Sequence, residues 1–577
     1  MSVSSASPAA VGPVTGPDVL RRMLSARRGQ MVVATLLLCS HQFGEVLVPV
    51  VIGRVIDEAV AGAGTGALGG LVSWIAGLAV VFAVLSFSYQ FGARKIEAVA
   101  EWSAHDLRLQ LTERVLHARG GAEEGRLPGA LTSIATSDAQ RAGAVAMAVG
   151  VASAQITAMV VAAVALLWVS LPLGLVVLVG APLMLWLTHL LGRPLESRSE
   201  AEQEEAAAAS GVAADLVAGL RVLKGIGAEQ VAVERYRTPS RRALAATVRA
   251  ARARGAYEGA ILLMTGVFLA LVAAVGGKLA LDGVISIGEL TAAIGLAQFL
   301  LGPLQVFAWV GTELAAGRAS AGRVAEVLSS PELVGGDGRV DTASAALSLE
   351  GVASGCLRHI DLRVEPGELV GVVPRDPADA LELLRIIGRE TDPHVGHARL
   401  GADRLSDLHP DQVRGQILVA AHDAELFGGP LLENLGGSGE LTAEVLAASA
   451  ADEVIGSLPE GAATVLTERG GNLSGGQRQR VALARALNLD APILVLHDPT
   501  TAVDSVTEAR IAAGIRRLRH PAGEGGRLRT TVLVTTSPAL LAVTDRVVLL
   551  VEGRCAAQGR HADLVRDDEI YRTTVLS

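Results

Sequence analysis

The segment Leu473-Ser474-Gly475-Gly476-Gln477 carries the clearest chemical pattern in this sequence. The pattern predicts that Ser474 and the two glycines begin a helix, where free N–H groups and the helix dipole favour a phosphate group. Glycine has no Cβ and lets the backbone approach such a ligand closely. An ordinary capped helix start is the alternative interpretation, and the elements around the segment bear on that choice.

Composition indicates a membrane protein. Half of the 577 residues are hydrophobic and mean hydropathy is positive, as is typical of a polytopic membrane protein. The net charge of -9 provides no basic face, so no nucleic-acid partner is expected. The three cysteines, Cys39, Cys356 and Cys555, are scattered, and their spacing predicts neither a disulfide framework nor a metal site.

Apolar runs long enough to cross a bilayer, which requires about 20 residues, account for the first half of the chain. These predicted spans lie near residues 31–53, 71–93, 142–168, 171–191, 256–277 and 285–310. Basic residues are concentrated before the first span and after the second and fourth, whereas the opposite loops hold only Arg54 and Lys278. The positive-inside rule therefore predicts cytoplasmic termini. Because arginine greatly outnumbers lysine, we expect a high-GC bacterium and its plasma membrane.

The order of these elements predicts two domains. Residues 1–30 are expected to form a cytoplasmic tail and a surface helix, and residues 31–320 an all-α, six-helix transmembrane domain. Residues 321–345 contain Pro331 and several glycines and are predicted to be a linker. Residues 346–577 alternate short β-rich runs with helices, which is typical of an α/β domain.

With these elements the chain resembles, over nearly its whole length, an exporter-type half-transporter of the ATP-binding cassette (ABC) family. The most specific stretch is Leu473–Leu487, which reads LSGGQRQRVALARAL. The resemblance implies a P-loop NTPase-like nucleotide-binding domain over 346–577. It also implies two ATP molecules between paired domains, each held by the phosphate loop of one chain and the signature of the other. In this chain Ser474, Gly475, Gly476 and Gln477 would contact ATP in trans, and Asp504 would lie at the dimer seam.

The phosphate loop implied by the resemblance has three glycines followed by Lys and Ser or Thr, and this chain departs from it. No lysine follows Lys278. Proline lacks the N–H donor that such a loop presents. Asp376 and Asp379 are expected to place negative charge where a phosphate would lie. The loop is therefore predicted not to bind MgATP in the usual way. After the predicted strand Leu369–Val373, the glycine positions hold Pro374, Pro377 and Asp379, the lysine position Ala380 and the magnesium-ligand position Leu381.

Other family positions differ as well. The magnesium-ligand and catalytic carboxylates at the end of the predicted strand Ile493–Leu496 are replaced by His497 and Asp498. The family's Q-loop glutamine corresponds to His422, and its switch histidine to Ser537. No catalytic residue is assigned, because Asp498 and Ser537 are both degenerate. His422 and His497 lack the spacing of a metal site, and none is predicted.

Polar residues within the predicted spans are costly in a bilayer and mark either a transport path or a helix-packing contact. His41, Gln42 and Glu45 lie in the first span and Gln298 lies in the sixth. The residues of the first span are interpreted as the wall of a translocation path, and a helix-packing contact or a position near the bilayer edge is the equally weighted alternative. Gln298 is a weaker candidate of the same kind.

Together these patterns predict the degenerate half of a heterodimeric, ATP-driven transporter, of which export is the implied direction. A second half-transporter with an intact phosphate loop would bind ATP and Mg²⁺ against this chain's signature, so no ATPase activity is expected from this chain alone. A homodimer is disfavoured because both of its sites would be inactive. A non-transporting membrane scaffold or regulator is the alternative from another class. The sequence leaves the transported substrate open.

Overall fold

A computed structural model describes residues 14–576 except 63–67, 341–344, 423–424, 437–440 and 522–527. The chain divides into two compact units. The helical unit comprises Met1–Thr112 and Pro128–Ser329, and the sheet unit comprises Glu113–Leu127 and Ser330–Ser577. The sheet unit is thus assembled from two separate parts of the sequence.

Long apolar helices build the helical unit. Within the described residues, six helical stretches are long and apolar enough to cross a membrane, namely Arg28–Ala61, Gly69–Val115, Pro128–Val169, Leu171–Ala218, Glu229–Leu281 and Ile287–Leu328. Each overlaps one predicted span, so the predicted six-helix fold is confirmed. The individual helices are α1 Gly16–Ala26, α2 Arg28–Gly62, α3 Leu68–Val115, α4 Pro128–Ser133, α5 Ala139–Val169, α6 Leu171–Ala218, α7 Leu220–Gly225, α8 Glu229–Leu281 and α9 Ile287–Leu328, with a π-helical turn at Ile134–Asp138.

Small residues allow these helices to pack closely. Helix α5 packs on α2 and α9, and it buries alanines at three- and four-residue intervals, among them Ala142, Ala146, Ala158 and Ala162. Such spacing places small side chains on one helix face, which lets neighbouring backbones approach. At the crossing of α2 and α9, a Cβ on Gly53 would lie 2.5 Å from the carbonyl oxygen of Gly288. A larger residue at this crossing would separate the two helices.

The sheet unit contains a mostly parallel sheet that organises the candidate site. Within the described residues the strand order is β12-β11-β3-β10-β9-β6, with β12 antiparallel to its neighbour, and a second sheet has the order β2-β1-β4-β5. Helix α10 buries Leu383 and Ile387 in a core shared by strands of both sheets. The strands are β1 Leu347–Ser354, β2 Leu357–Val364, β3 Leu369–Pro374, β4 Val395–Leu400, β5 Asp403–Arg404, β6 Ile417–Ala420, β7 Gly429–Pro430, β8 Val465–Leu466, β9 Ile493–His497, β10 Thr530–Val534, β11 Arg546–Val551 and β12 Arg554–Gly559.

Helices alternate with these strands, as in an α/β domain, so the predicted fold class of this half is also confirmed. They are α10 Pro377–Ile387, α11 Pro410–Gln416, α12 Leu431–Asn434, α13 Ala443–Ser449, α14 Ala451–Ser457, α15 Gly475–Asn488, α16 Ser505–Arg519, α17 Pro538–Leu541, α18 His561–Asp567 and α19 Glu569–Leu576.

The segment that joins the two halves of the sequence is tightly held. Helix α9 runs to Leu328, so residues 321–328 of the segment predicted as a linker are helical. Residues 330–337 are bonded to Glu113–Leu127 within the sheet unit. Arg119 pairs with Glu332 at 3.0 Å, and its backbone oxygen accepts the N–H of Leu333 at 3.0 Å. The fully buried Arg389 donates to the carbonyl oxygen of Gly335 at 2.8 Å.

We call the contact between residues 113–127 and residues 330–337 the joint, and it requires a glycine. Gly121 has a φ of +97°, and a Cβ there would overlap the carbonyl oxygen of Pro331. Arg114 donates to the carbonyl oxygen of Ser330 at 2.7 Å beside it. Because only glycine adopts this conformation without steric cost, the close approach of residues 113–127 to residues 330–337 depends on Gly121.

Candidate nucleotide-binding site

The carboxyl ends of three parallel strands meet at one edge of the large sheet. Strands β3, β10 and β9 are neighbours in that order and end at Pro374, Val534 and His497. A cleft of about 550 Å³ lies at this edge, and its lining includes Pro374, Pro377, Ala380, His497 and Asp498. The fold therefore brings together five of the residues that sequence analysis assigned to the degenerate ATP site.

The loop between β3 and α10 satisfies its own helix start. Asp376 is the N-cap of α10, and its carboxylate accepts the N–H of Ala378 at 2.9 Å. Pro377 occupies the first helical position, where it has no N–H to offer. The carboxylate also complements the positive end of the helix dipole. The Asp376 carboxylate thus places a negative charge at the start of α10, and this charge disfavours a phosphate at that position.

The expectation that Asp379 adds negative charge at the phosphate position was wrong. Asp379 is 2% exposed, and its carboxylate accepts the N–H of Gly553, in the turn between β11 and β12, at 3.0 Å. Burial, together with the neighbouring Asp379, raises the pKa of the Cys356 thiol to about 11. Asp379 therefore anchors α10 to the β11–β12 turn. Of the two aspartates, only Asp376 bears on the loop.

The two residues that follow Asp379 differ in exposure. Ala380, at the position of the family's lysine, is fully buried, although it borders the cleft. Leu381, at the magnesium-ligand position, is 56% exposed. Neither side chain offers a donor to a phosphate or an oxygen to a metal ion.

The histidines of this edge lie near each other. The ring centroids of His422 and His497 are 5.7 Å apart, and both residues line a second cavity of about 300 Å³. Nε2 of His497 lies 3.9 Å from Oδ2 of Asp498. Among the described residues, no three His, Cys, Asp or Glu side chains converge in a way that could hold a metal ion. The edge presents imidazole where Mg²⁺ prefers oxygen ligands.

Ser537, at the position of the family's switch histidine, has a local structural role. It is the N-cap of α17, and its hydroxyl accepts the N–H of Leu540 at 3.3 Å. Its own N–H donates to the hydroxyl of Thr535 at 3.1 Å. Serine is a favoured N-cap residue, so the sequence at this position starts a short helix.

The signature segment begins α15, as the sequence predicted. Ser474 is the N-cap, its hydroxyl accepts the N–H of Gln477 at 3.2 Å, and the Gln477 side chain accepts the N–H of Ser474 at 2.8 Å. This reciprocal pair is a capping box. Both partners are uncharged, and the box uses neither the amide of Gly475 nor that of Gly476. Ser474 and Gly475 are exposed, so a neutral, accessible helix start suited to an anion is in place.

Contacts that sequence analysis did not predict fix this helix to the segment after β9. A Cβ on Gly476 would lie 2.6 Å from the carbonyl oxygen of Ala502. The buried Gln479 donates to the hydroxyl of Thr501 at 2.7 Å and accepts the N–H of Ala502 at 2.8 Å. Gln479 lies in the motif LSGGQRQR, which is the sequence signal that points to this role. The signature helix and residues 501–502 are consequently held together, and we call them the braced surface.

Asp504, assigned to the dimer seam, caps α16. Its carboxylate accepts the N–H groups of Val506 and Thr507 at 3.1 and 3.0 Å. The hydrogen bond from the Thr507 amide holds the pKa of Asp504 below its usual range. The carboxylate is therefore ionised at neutral pH.

The polar residues of the first span form a local group on α2, and Gln298 lies elsewhere. Nδ1 of His41 is 3.0 Å from the carbonyl oxygen of Leu85, and its Nε2 is 3.7 Å from Glu45. Gln42 is 8% exposed, and its Oε1 has no hydrogen-bond partner among the described residues. Gln298 is exposed on α9. A translocation path lined by these residues stays a prediction.

Both units of the chain match known protein families. Residues 31–304 match the family described as "ABC transporter transmembrane region", and residues 357–501 match "ABC transporter". The second match covers β2 to the segment after β9, which includes the loop between β3 and α10 and the signature.

Individual relatives agree with these matches. A multidrug efflux ATP-binding/permease protein of Mycobacterium tuberculosis is 31% identical over 88% of this chain, which spans only 43% of that relative's length. An ATP-dependent lipid A-core flippase of Ralstonia nicotianae is 26% identical over 99% of this chain and 98% of its own length. A solved structure of a bacterial Atm1-family ABC exporter with ATP bound covers 95% of this chain, and this chain covers 98% of it, with a TM-score of 0.73 and 22% identity. That last likeness establishes the fold.

Proposed function

The chain belongs to the ABC transporter family, and we propose that it is the half of an ATP-driven exporter that completes its partner's ATP site while its own site is inactive. The partner is a second half-transporter with an intact phosphate loop, which holds ATP and Mg²⁺. Ser474, Gly475, Gly476 and Gln477 of this chain contact the γ-phosphate in trans. Phosphoryl transfer depends mainly on positioning and electrostatic stabilisation, and helix α15 contributes to both.

The proposal rests on the residues that form the loop before α10, which lack the groups that bind a phosphate. Asp376 occupies the helix start, Pro377 removes a donor, and Ala380 stands where a lysine would neutralise phosphate charge. The signature helix, in contrast, keeps a neutral cap, the exposed Gly475 and a close contact between Gly476 and residue 502. A chain that can only complete another chain's site requires a partner of a different kind.

The relatives support pairing and outward transport. The Mycobacterium tuberculosis relative is more than twice as long as its aligned part, so its length leaves room for a second unit of this size. The names of the relatives describe multidrug efflux and lipid A-core flipping. On this basis we assign the chain to the bacterial plasma membrane as a multi-pass protein with both termini cytoplasmic, and export as its direction.

The proposal is tested by the MgATPase activity of the purified full-length chain in detergent. It is measured alone and after co-expression with a half-transporter of the same genome whose phosphate loop contains the lysine. We expect activity only in the pair. Activity of this chain alone, copurifying with it through successive columns, would overturn the proposal, because the loop from Pro374 to Leu381 would then bind nucleotide. Failure of every such partner to form an active pair would also contradict it.

A further inference from the structure

A cavity of about 400 Å³ lies within the helical unit between α2, α5 and α9. Its wall is mainly aliphatic and includes Val46, Val50, Val161 and Ala165. Val46 is fully buried, which shows that the cavity reaches into the helix packing. The polar lining residues Arg54, Asp57 and Glu289 come from the carboxyl-terminal part of α2 and the first turn of α9.

The two carboxylates at this polar end are already used by the fold. Asp57 accepts the hydroxyl of Ser286 at 2.7 Å and the N–H of Gly288 at 2.8 Å. Glu289 accepts the N–H of Ser286 at 3.0 Å and closes a capping box at the start of α9. Both negative charges are thereby held at the positive end of a helix.

Arg54 is in a different situation. It is exposed, and it has no hydrogen bond or ion pair with any residue in the part of the chain that the structure describes. A guanidinium group presents several donors in a plane that matches a phosphate or carboxylate. The cavity thus combines an aliphatic wall with one available positive charge at its mouth.

A tryptophan indicates where the opening of the cavity lies relative to the membrane. Trp168, which lines the cavity near the end of α5, is 79% exposed. Tryptophan is enriched where the hydrocarbon region of a bilayer meets the headgroups. Arg54 directly follows the first predicted span, and Trp168 is the last residue of the third. Both therefore lie at a predicted membrane boundary, with the aliphatic wall extending away from it.

We propose that this cavity binds an anionic phospholipid of the adjacent membrane leaflet, with its phosphate on Arg54 and an acyl chain along Val46, Val50 and Val161. The aliphatic wall gives the acyl chain close van der Waals contacts. Arg54 holds the phosphate through charge-assisted hydrogen bonds, and its charge disfavours the choline cation of a zwitterionic headgroup. The proposal concerns only the helical unit and does not depend on the function proposed above.

The test is a lipid titration of the purified full-length chain by native mass spectrometry. Phosphatidylglycerol and phosphatidylcholine with identical acyl chains are compared. We expect tighter binding of phosphatidylglycerol, and Arg54→Gln should weaken it about tenfold or more, since hydrogen bonds to charged groups are of that strength. The matched control is Lys278→Gln, which removes the other basic residue of the predicted outer loops, one that is paired with Asp282 at 3.0 Å.

A second variant examines the aliphatic wall. Ala165→Phe places a larger side chain against the cavity and should weaken both lipids. Equal phosphatidylglycerol binding by the wild type and Arg54→Gln would overturn the proposal. So would an equal loss from Lys278→Gln, since a general charge effect rather than this cavity would then explain the preference.

Discussion

Helices α10 and α15 begin at the two positions where nucleotide binds in ABC cassettes, yet their N-termini are capped differently. Helix α10 starts with a charged cap, Asp376, followed by Pro377. Helix α15 starts with an uncharged capping box, Ser474 and Gln477, and two glycines. The difference teaches that a helix start remains an anion site when its cap is neutral and its amides are accessible. A carboxylate cap such as Asp376 stabilises the helix but occupies the amides that would otherwise bind an anion.

The largest expected effect comes from breaking the accessible helix start. Ser474→Arg should lower the MgATPase rate of the active pair by roughly 100-fold or more, the range seen when one group that stabilises a transition state is lost. The reason is that a long cation replaces the small hydroxyl at the γ-phosphate position. The steady-state rate of phosphate release provides the measurement.

Two variants serve as controls for Ser474→Arg. Ser406→Arg changes another exposed serine of the sheet unit and should leave the rate unchanged. Leu381→Thr, at the exposed magnesium-ligand position, should also leave it unchanged, because one hydroxyl cannot restore the amides that Asp376 and Pro377 occupy or remove. Retained turnover in the Ser474→Arg pair would show that the signature does not act in trans.

The contact beneath the signature should be the next most sensitive feature. Gly476→Ala brings a Cβ to 2.6 Å from the carbonyl oxygen of Ala502, whereas Gly475→Ala brings one to 3.6 Å from the Ala502 side chain, an ordinary contact. Overpacking of this kind costs about 1–3 kcal/mol. Thermal unfolding of the full chain should therefore show a lower Tm of the sheet unit for Gly476→Ala only. Equal Tm values for both variants would mean that the braced surface adapts without cost.

The cap of α10 should have a smaller effect. Asp376→Ala removes the acceptor for the Ala378 amide and should destabilise the sheet unit by about 1 kcal/mol, the usual cost of losing an N-cap. Asp376→Ser keeps a capping oxygen without the charge and should restore most of the Tm. If the alanine variant instead bound a fluorescent ATP analogue tightly, the loop would be blocked by this one carboxylate alone.

The smallest expected effect concerns the orientation of Asp379. Because burial and Asp379 raise the pKa of the Cys356 thiol to about 11, this thiol should react slowly with iodoacetamide near pH 8. Asp379→Asn keeps an acceptor for the Gly553 amide and removes the charge, so it should lower this pKa and speed alkylation of Cys356. Peptide mass spectrometry at several pH values measures the rates, with Cys555 as the internal control. An unchanged Cys356 rate would argue that Asp379 lies nearer the loop.

The six spans and the signature helix were predictable because each depends on local properties. Bilayer thickness fixes the length of an apolar helix, and Ser474 with Gln477 forms its cap within four neighbouring residues. The direction of Asp379 was predicted wrongly because its acceptor role depends on Gly553, 174 positions away. The contact between Gly476 and Ala502 was likewise hidden in the sequence, since no local pattern reveals which backbone approaches a glycine.

The joint between residues 113–127 and 330–337 has a consequence for how the protein is made. Arg119 and Glu332 are 213 positions apart, and the chain enters the sheet unit, leaves it and enters it again. Synthesis proceeds at about 5–20 residues per second, so the early segment leaves the ribosome well before the strands that it joins. Glu113–Leu127 is continuous with membrane helices at both of its ends, and it cannot pack in the sheet unit until Ser330–Ser577 has been synthesised. The sheet unit therefore completes its folding late in translation, around a segment that is synthesised early.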